Sequence, residues 1–225
     1  MSEISSLSRF RARRLNTWIR WGVKCSWSLI ELKIMKKIIL ASASPRRKEL
    51  LEQIGLRFEV EPRDYEEPAY AQEEPHEFAR TTSLEKARAV AGKHSDAIVI
   101  AADTLVLFGK KILGKPHTRG AARMMLEAIN GKSHIVITGF SIIDTVTKKM
   151  LSISVETKVH IKKLTPFEMD AYVKSGEPLD KAGAYGIQGL GAVIVDRIEG
   201  DYFNVVGLPL AALVEALKEF GVSVL

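Results

Sequence analysis

A strand that ends in a small-residue turn and re-emerges as an arginine-led helix fixes how this chain must begin to fold. The apolar run Ile38-Ile39-Leu40-Ala41 passes directly into Ser42-Ala43-Ser44-Pro45-Arg46-Arg47. Ser44 is a favourable N-cap, and Pro45 suits the first helical position, where its missing N–H would have no partner anyway. The helix predicted from there reaches Ile54 and stops at Gly55. Arginines favour helix C-termini, so two of them beside the positive N-terminal end are destabilising unless an anion joins them. Backbone N–H groups, the helix dipole and two guanidinium forks would then converge on a phosphate chain. A solvated basic surface helix is the plain alternative, and only the rest of the chain decides between the two.

Charge helps with that decision. The formal net charge of +6 suggests a nucleic-acid binder, but it is unevenly placed. Residues 1–34 hold seven basic residues against two acidic ones, which leaves 26 basic against 25 acidic in the remainder. The body is nearly neutral, so its cations act locally and not as a field. The same first segment holds all three tryptophans (Trp18, Trp21, Trp27) and the only cysteine, Cys25. Residues 1–34 therefore read as a leader, with the domain proper at 35–225. Either translation starts at Met35, or the leader is a disordered or targeting segment. Its apolar runs are too short to span a bilayer. A body without cysteine suits a reducing cytosol, and a cytoplasmic location is expected.

The pattern along the body is α/β. Residues 97–102 are continuously apolar and end in Asp103-Thr104, as expected of a strand buried on both faces. A short strand at 58–60, an acidic loop at 64–68 and a helix over 77–91 precede it. A hairpin turning at Gly109-Lys110 and a helix from Thr118 to Ile129 follow. Two long strands are predicted over 134–143 and 151–161, then a helix opened by the capping box Thr165-Pro166-Phe167-Glu168. Residues 192–195 and 202–206 read as closing strands, and 208–220 as a last amphipathic helix. The expected fold is a mixed twisted sheet flanked by helices, with two lobes around a central cleft.

Several residues could carry chemistry. Asp103 sits where a buried strand is expected to end, a place where open α/β sheets bind ligands. A carboxylate there can activate water or hold a divalent cation, though a turn aspartate is an equal reading. Glu67 belongs to an acidic loop that is either a metal-binding or a merely solvated one. Lys115, between Gly114 and Pro116, is a positioned lysine suited to phosphate. Lys86, beside Glu85 in mid-helix, reads by default as a surface lysine. Residues 181–191 hold four glycines in eleven positions, yet match neither a Walker loop nor a dinucleotide fingerprint. Gln188 and Tyr185 sit there among small residues, which would let backbone and side-chain amide both reach a flat base edge, and a structural turn is an equal reading. The five histidines show no ligand spacing, and no Ser-His-Asp or Cys-His arrangement exists.

Ala41-Ser42-Ala43-Ser44-Pro45-Arg46-Arg47, Ala102-Asp103-Thr104, Gly114-Lys115-Pro116 and Lys181-Ala182-Gly183-Ala184-Tyr185-Gly186-Ile187-Gln188-Gly189 together resemble the Maf family of nucleoside triphosphate pyrophosphatases. The resemblance covers residues 36–222 and leaves the leader unmatched. The late motif is similar to the dTTP/UTP branch and unlike the branch acting on 7-methyl-GTP. The resemblance implies that Asp103 is the proton acceptor, activating a water that attacks the α-phosphorus. It implies that Ser44, Arg46, Arg47, Lys86 and Lys115 bind the triphosphate, and that Arg46, Thr104 and Gln188 choose the base. It also implies a Mg2+ or Mn2+ ion at Glu67 and Asp103, a homodimer, and an ITPase-like fold. A small-molecule nucleotide is then the partner, with neither nucleic acid nor membrane involved. The competing readings are the same chemistry on another base, and a cell-division or nucleic-acid-binding protein.

Overall fold

The computed structural model describes residues 36–62 and 74–225. The leader at 1–34 and Glu67 lie outside the described residues. One sheet of seven strands organises the body. Its first strand, β1 (Lys37–Leu40), is flanked in parallel by β2 (Glu59–Val60) and β3 (Ala97–Phe108). Beyond β3 the sheet turns antiparallel through β5 (Ser133–Asp144), β6 (Met150–Ile161) and β7 (Val195–Glu199). The short β4 (Lys111–Leu113) folds back on the end of β3.

Helices cover both faces. Between β1 and β2 runs α1 (Pro45–Gln53), which buries Leu50 and Leu51. Next comes α2 (Pro75–Ala91), followed by α3 (Arg119–Ile129), whose first turn Thr118 caps by accepting the Ala121 N–H. The expected capping box starts α4 (Pro166–Lys174), with both reciprocal bonds between Thr165 and Glu168 in place. Three 3-10 turns, at Glu177–Asp180, Ala182–Ala184 and Gly189–Val193, then lead to β7. The chain closes with α5 (Tyr202–Val206) and α6 (Leu210–Lys218).

One expected strand is displaced and one is replaced by helix. Residues 189–193 coil into a 3-10 turn, and β7 starts only at Val195. Residues 202–206 are helical although rich in β-formers, because the Asp201 carboxylate accepts the Phe203 and Asn204 N–H groups and caps a turn there.

Alternation along β3 divides the core. Val99 and Ala101 face α2, packing with Ala87 and Val90. Ile98, Ile100 and Ala102 face the other way, into a cluster with α1 and α6 that includes Leu51 and Leu213. Farther along that second face Val106 joins a separate cluster with Leu126 and Ile129 of α3 and Val173 of α4. Between the two clusters lies a polar seam. Thr104 and Thr138 face each other there with hydroxyls 3.0 Å apart, and Thr138 donates to the Asn204 carbonyl. On the α2 side, Gly139 lets that helix come unusually close. A Cβ at Gly139 would lie 2.3 Å from the Ala79 carbonyl oxygen.

Candidate active site

β3 shares one edge between two partners. Its parallel pairing with β1 ends at Leu40 opposite Ile100, and its pairing with β4 begins at Val106 opposite Leu113. Between them, from Ala102 to Leu105, no described strand covers this edge, and a cleft of about 660 Å³ opens there. Asp103 is therefore not at a strand end, as expected, but in the middle of a twelve-residue strand. β5 pairs with β3 past this point, Asp103 lying opposite Gly139, so the strand continues while its other neighbour departs.

The cleft gathers Ser44, Arg46, Arg47, Lys86, Asp103, Thr104. Lys115 and Gln188 line it as well, which places every proposed site residue except the undescribed Glu67 around one space. Asp103 is 6% exposed. Its Oδ1 takes a hydrogen bond from Lys86 Nζ at 2.6 Å, across from α2. Lys86 is thus no surface lysine: the close approach of α2 at Gly139 carries its ammonium to the cleft. Oδ2 has no hydrogen bond to any described residue and remains open to a ligand or water.

The two arginines separate in role. Arg47 donates from Nε to the Gly207 carbonyl at 2.9 Å, from Nη1 to Ser42 Oγ at 3.2 Å and from Nη2 to Thr104 Oγ1 at 3.0 Å. It ties the start of α1 to β3 and to the turn after α5. Arg46 makes no hydrogen bond or ion pair with a described residue, and its charge acts on Asp180. The Asp180 carboxyl is held below its usual range, first by its hydrogen bond from Lys181 and to a lesser degree by Arg46. Asp180, Lys181 and Ser42 also line the cleft, beyond the residues the sequence pattern points to. Each stands inside or next to a quoted motif, and that was the available signal.

Three local details complete the cleft wall. Ser44 stands at the N-cap position, but its side chain makes no capping bond. Ser42 Oγ accepts the Ser44 N–H instead, which leaves the Ser44 hydroxyl toward the cleft. Tyr185 belongs to the core beneath the cleft. It is 5% exposed and shares a hydrogen bond of 2.7 Å with buried His134. Gly114 is not required for space within the protein, since a Cβ there would meet nothing within 4 Å. Its carbonyl instead accepts the Gly183 N–H, linking the Lys115 loop to the glycine-rich segment.

A family profile described as Maf-like protein matches residues 37–220. The chain belongs to the Maf family. A dTTP/UTP pyrophosphatase of Bacillus cereus (strain ATCC 10987 / NRS 248) is 49% identical over 190 residues, covering 84% of this chain and 93% of that protein. A dTTP/UTP pyrophosphatase of Methanococcoides burtonii is 51% identical over 191 residues, covering 84% and 98%. Among solved structures, a HAM1 protein from Coxiella burnetii superposes with a TM-score of 0.51. That match covers 82% of this Maf chain and 100% of the HAM1 chain at 16% identity, and it supports the mixed-sheet fold alone.

Metal binding can be weighed on the donor set. Among the described residues no cluster of three or more His, Cys, Asp or Glu could cage an ion. One buried carboxylate with an open oxygen, beside a cleft sized for a nucleotide, fits Mg2+. That ion usually takes one or two carboxylates and completes its shell with water and substrate phosphates.

Proposed function

We propose that this Maf protein hydrolyses dTTP and UTP to the nucleoside monophosphate and pyrophosphate, acting on free nucleotides of the cytoplasm. The observation that carries the reading is Asp103: a carboxylate with one oxygen fixed by Lys86 and the other open, in a gap of the sheet that faces the arginine-led turn. The names of the two relatives near 50% identity supply the bases. No helix among the described residues is long and apolar enough to cross a membrane.

The chemistry follows from the placement. The N-terminal end of α1 has no acidic residue in its first turn, so its amides, with Arg46, Lys115 and the Ser44 hydroxyl, receive the phosphate chain. Lys86 holds Asp103 Oδ1, which orients Oδ2 toward a water at the α-phosphorus. Asp103 takes the proton as the water oxygen bonds to phosphorus, the bond from the α-phosphorus to the bridging oxygen breaks, and pyrophosphate leaves. A divalent ion held by Asp103, with Glu67 as a second candidate, would supply charge neutralisation on the phosphates. Gln188, with an amide that both donates and accepts, suits the carbonyl and N3–H edge of uracil or thymine.

A panel of dTTP, UTP, CTP, GTP and 7-methyl-GTP, with pyrophosphate release measured with and without Mg2+ or Mn2+, tests this. Turnover should favour dTTP and UTP, and Asp103→Asn should lower kcat by roughly 10²–10⁴-fold with KM little changed. A preference for 7-methyl-GTP would reject the base assignment, and wild-type turnover in Asp103→Asn would reject the proton acceptor.

A further inference from the structure

The segment that presents Gln188 is held from behind by the carboxylate of Glu177. Glu177 Oε1 accepts the Tyr172 hydroxyl and the Gly191 N–H, each at 2.9 Å, and Oε2 accepts the Leu190 N–H at 2.9 Å. The Tyr172 oxygen in turn accepts the Gly186 N–H at 3.2 Å. Three backbone amides on both sides of Gln188 are thereby fastened to one carboxylate–phenol pair. Burial raises the Tyr172 phenol above its usual range, so the hydroxyl stays protonated and donates to Glu177.

The fit leaves no slack. A Cβ at Gly191 would lie 1.9 Å from the Gly186 carbonyl oxygen. One at Gly189, where φ is +66°, would lie 2.8 Å from Glu177 Oε2. The ends of the segment belong to different halves of the core. Tyr185 packs in the cluster of α3 and α4, whereas Ile187 packs against that of α1 and α6. Residues 185–188 therefore bridge the cleft, and Gln188 lines it from an extended backbone (φ −100°, ψ 168°).

We propose that Glu177 is a positioning residue for base selection, setting through Tyr172 and the Leu190 and Gly191 amides the backbone from which Gln188 meets the pyrimidine. The proposal rests on the function given above. It predicts a division between the two ends of the substrate, because Asp103 is fixed by Lys86 of α2, whereas the Glu177 carboxylate bonds Tyr172, Leu190 and Gly191 and no described residue of β3 or α2.

Two substitutions in the full chain test it. Glu177→Gln keeps the size but turns an NH2 group toward one of three donors, and Tyr172→Phe removes the bridging hydroxyl alone. Leaving such donors unpaired costs enough to change affinity by roughly 10-fold. In both variants KM for UTP should rise about 10-fold with kcat within about 3-fold, and the preference for UTP over CTP should fall by about 10-fold. Calorimetry with separate probes should show UMP binding weakened to a similar extent and inorganic pyrophosphate binding within about 2-fold of wild type. Parallel weakening of UMP and pyrophosphate overturns the proposal, and so does a UTP preference that survives in both variants. A wild-type chain with no preference for UTP over CTP overturns the function reading, and this inference with it.

Discussion

Arg46 and Arg47 are neighbours in sequence, yet they sit in different physical situations. Arg47 has each guanidinium nitrogen bonded within the protein, one of them to a carbonyl 160 residues away. Arg46 is without a hydrogen bond to any described residue and faces the cleft. Arg46→Ala should therefore raise KM about 10-fold or more while leaving Tm within a degree or two, since only a ligand contact is lost. Arg47→Ala should lower Tm by several degrees, consistent with about 1–3 kcal/mol for unpairing partners in a partly buried network. Thermal melts and steady-state kinetics on the two variants measure this directly. That both arginines stand at a helix start is legible in the turn, because Ser-Pro-Arg-Arg after a buried strand marks a helix N-terminus, but their place at a cleft needs the rest of the chain. Their division of labour is not legible there. It depends on Gly207 and Thr104, which approach only when the whole sheet has assembled.

Elements with long regular patterns were legible, and short ones were not. β5, β6 and the helix capped by Thr118 fall within a residue or so of expectation, because each carries many residues of one periodicity. The α5 turn reads as a strand in sequence because its apolar residues favour strands, while a cap at Asp201 and hydrogen bonds from the Asn204 side-chain amide to the Val136 carbonyl and the Thr157 hydroxyl hold it helical. β3 was cut short at Asp103 because a charged residue usually ends an apolar run. Here the charge is tolerated within the strand since Lys86 pairs with it. That pairing depends on how closely α2 lies over β5, which Gly139 permits. Gly139→Ala should push the Ala79 turn outward, destabilise the protein by about 3 kcal/mol and lower kcat by displacing Lys86. Urea unfolding with parallel kinetics checks both effects, and a variant as stable and active as wild type would contradict the packing argument.

For the molecule as a whole, acid should act through His134 before it reaches the carboxylates. The His134 imidazole is pushed down to about 4, mainly by burial and further by His160. The unfolded chain binds a proton near 6.5 that the folded chain refuses until about 4, so folding stability rises with pH across that window and is fully present above it. The span is worth about 3 kcal/mol, and urea midpoints from pH 4 to 7 should show the slope flatten in His134→Gln. At Asp144 burial raises the carboxyl, but the Lys36 ion pair and hydrogen bonds from Thr147 and Val146 outweigh it and hold it at about 2. Its stabilising contribution is therefore present above the usual carboxylate range and is lost only as pH falls from there toward 2. The gap in the edge of β3 has a different kind of consequence, for what substitution can reshape. The floor of the cleft is a strand paired on its far side from Ile98 to Leu107, so inserting or deleting one residue there would shift core positions to the wrong face. The rim consists of separate turns at 42–47, 114–117 and 180–191, where positions other than the locking residues Arg47, Gly183, Gly189 and Gly191 can vary without moving that register. A library aimed at new substrates should therefore diversify the rim and leave β3 untouched, because in this architecture altered selectivity and a correctly folded floor are written in different segments of the chain.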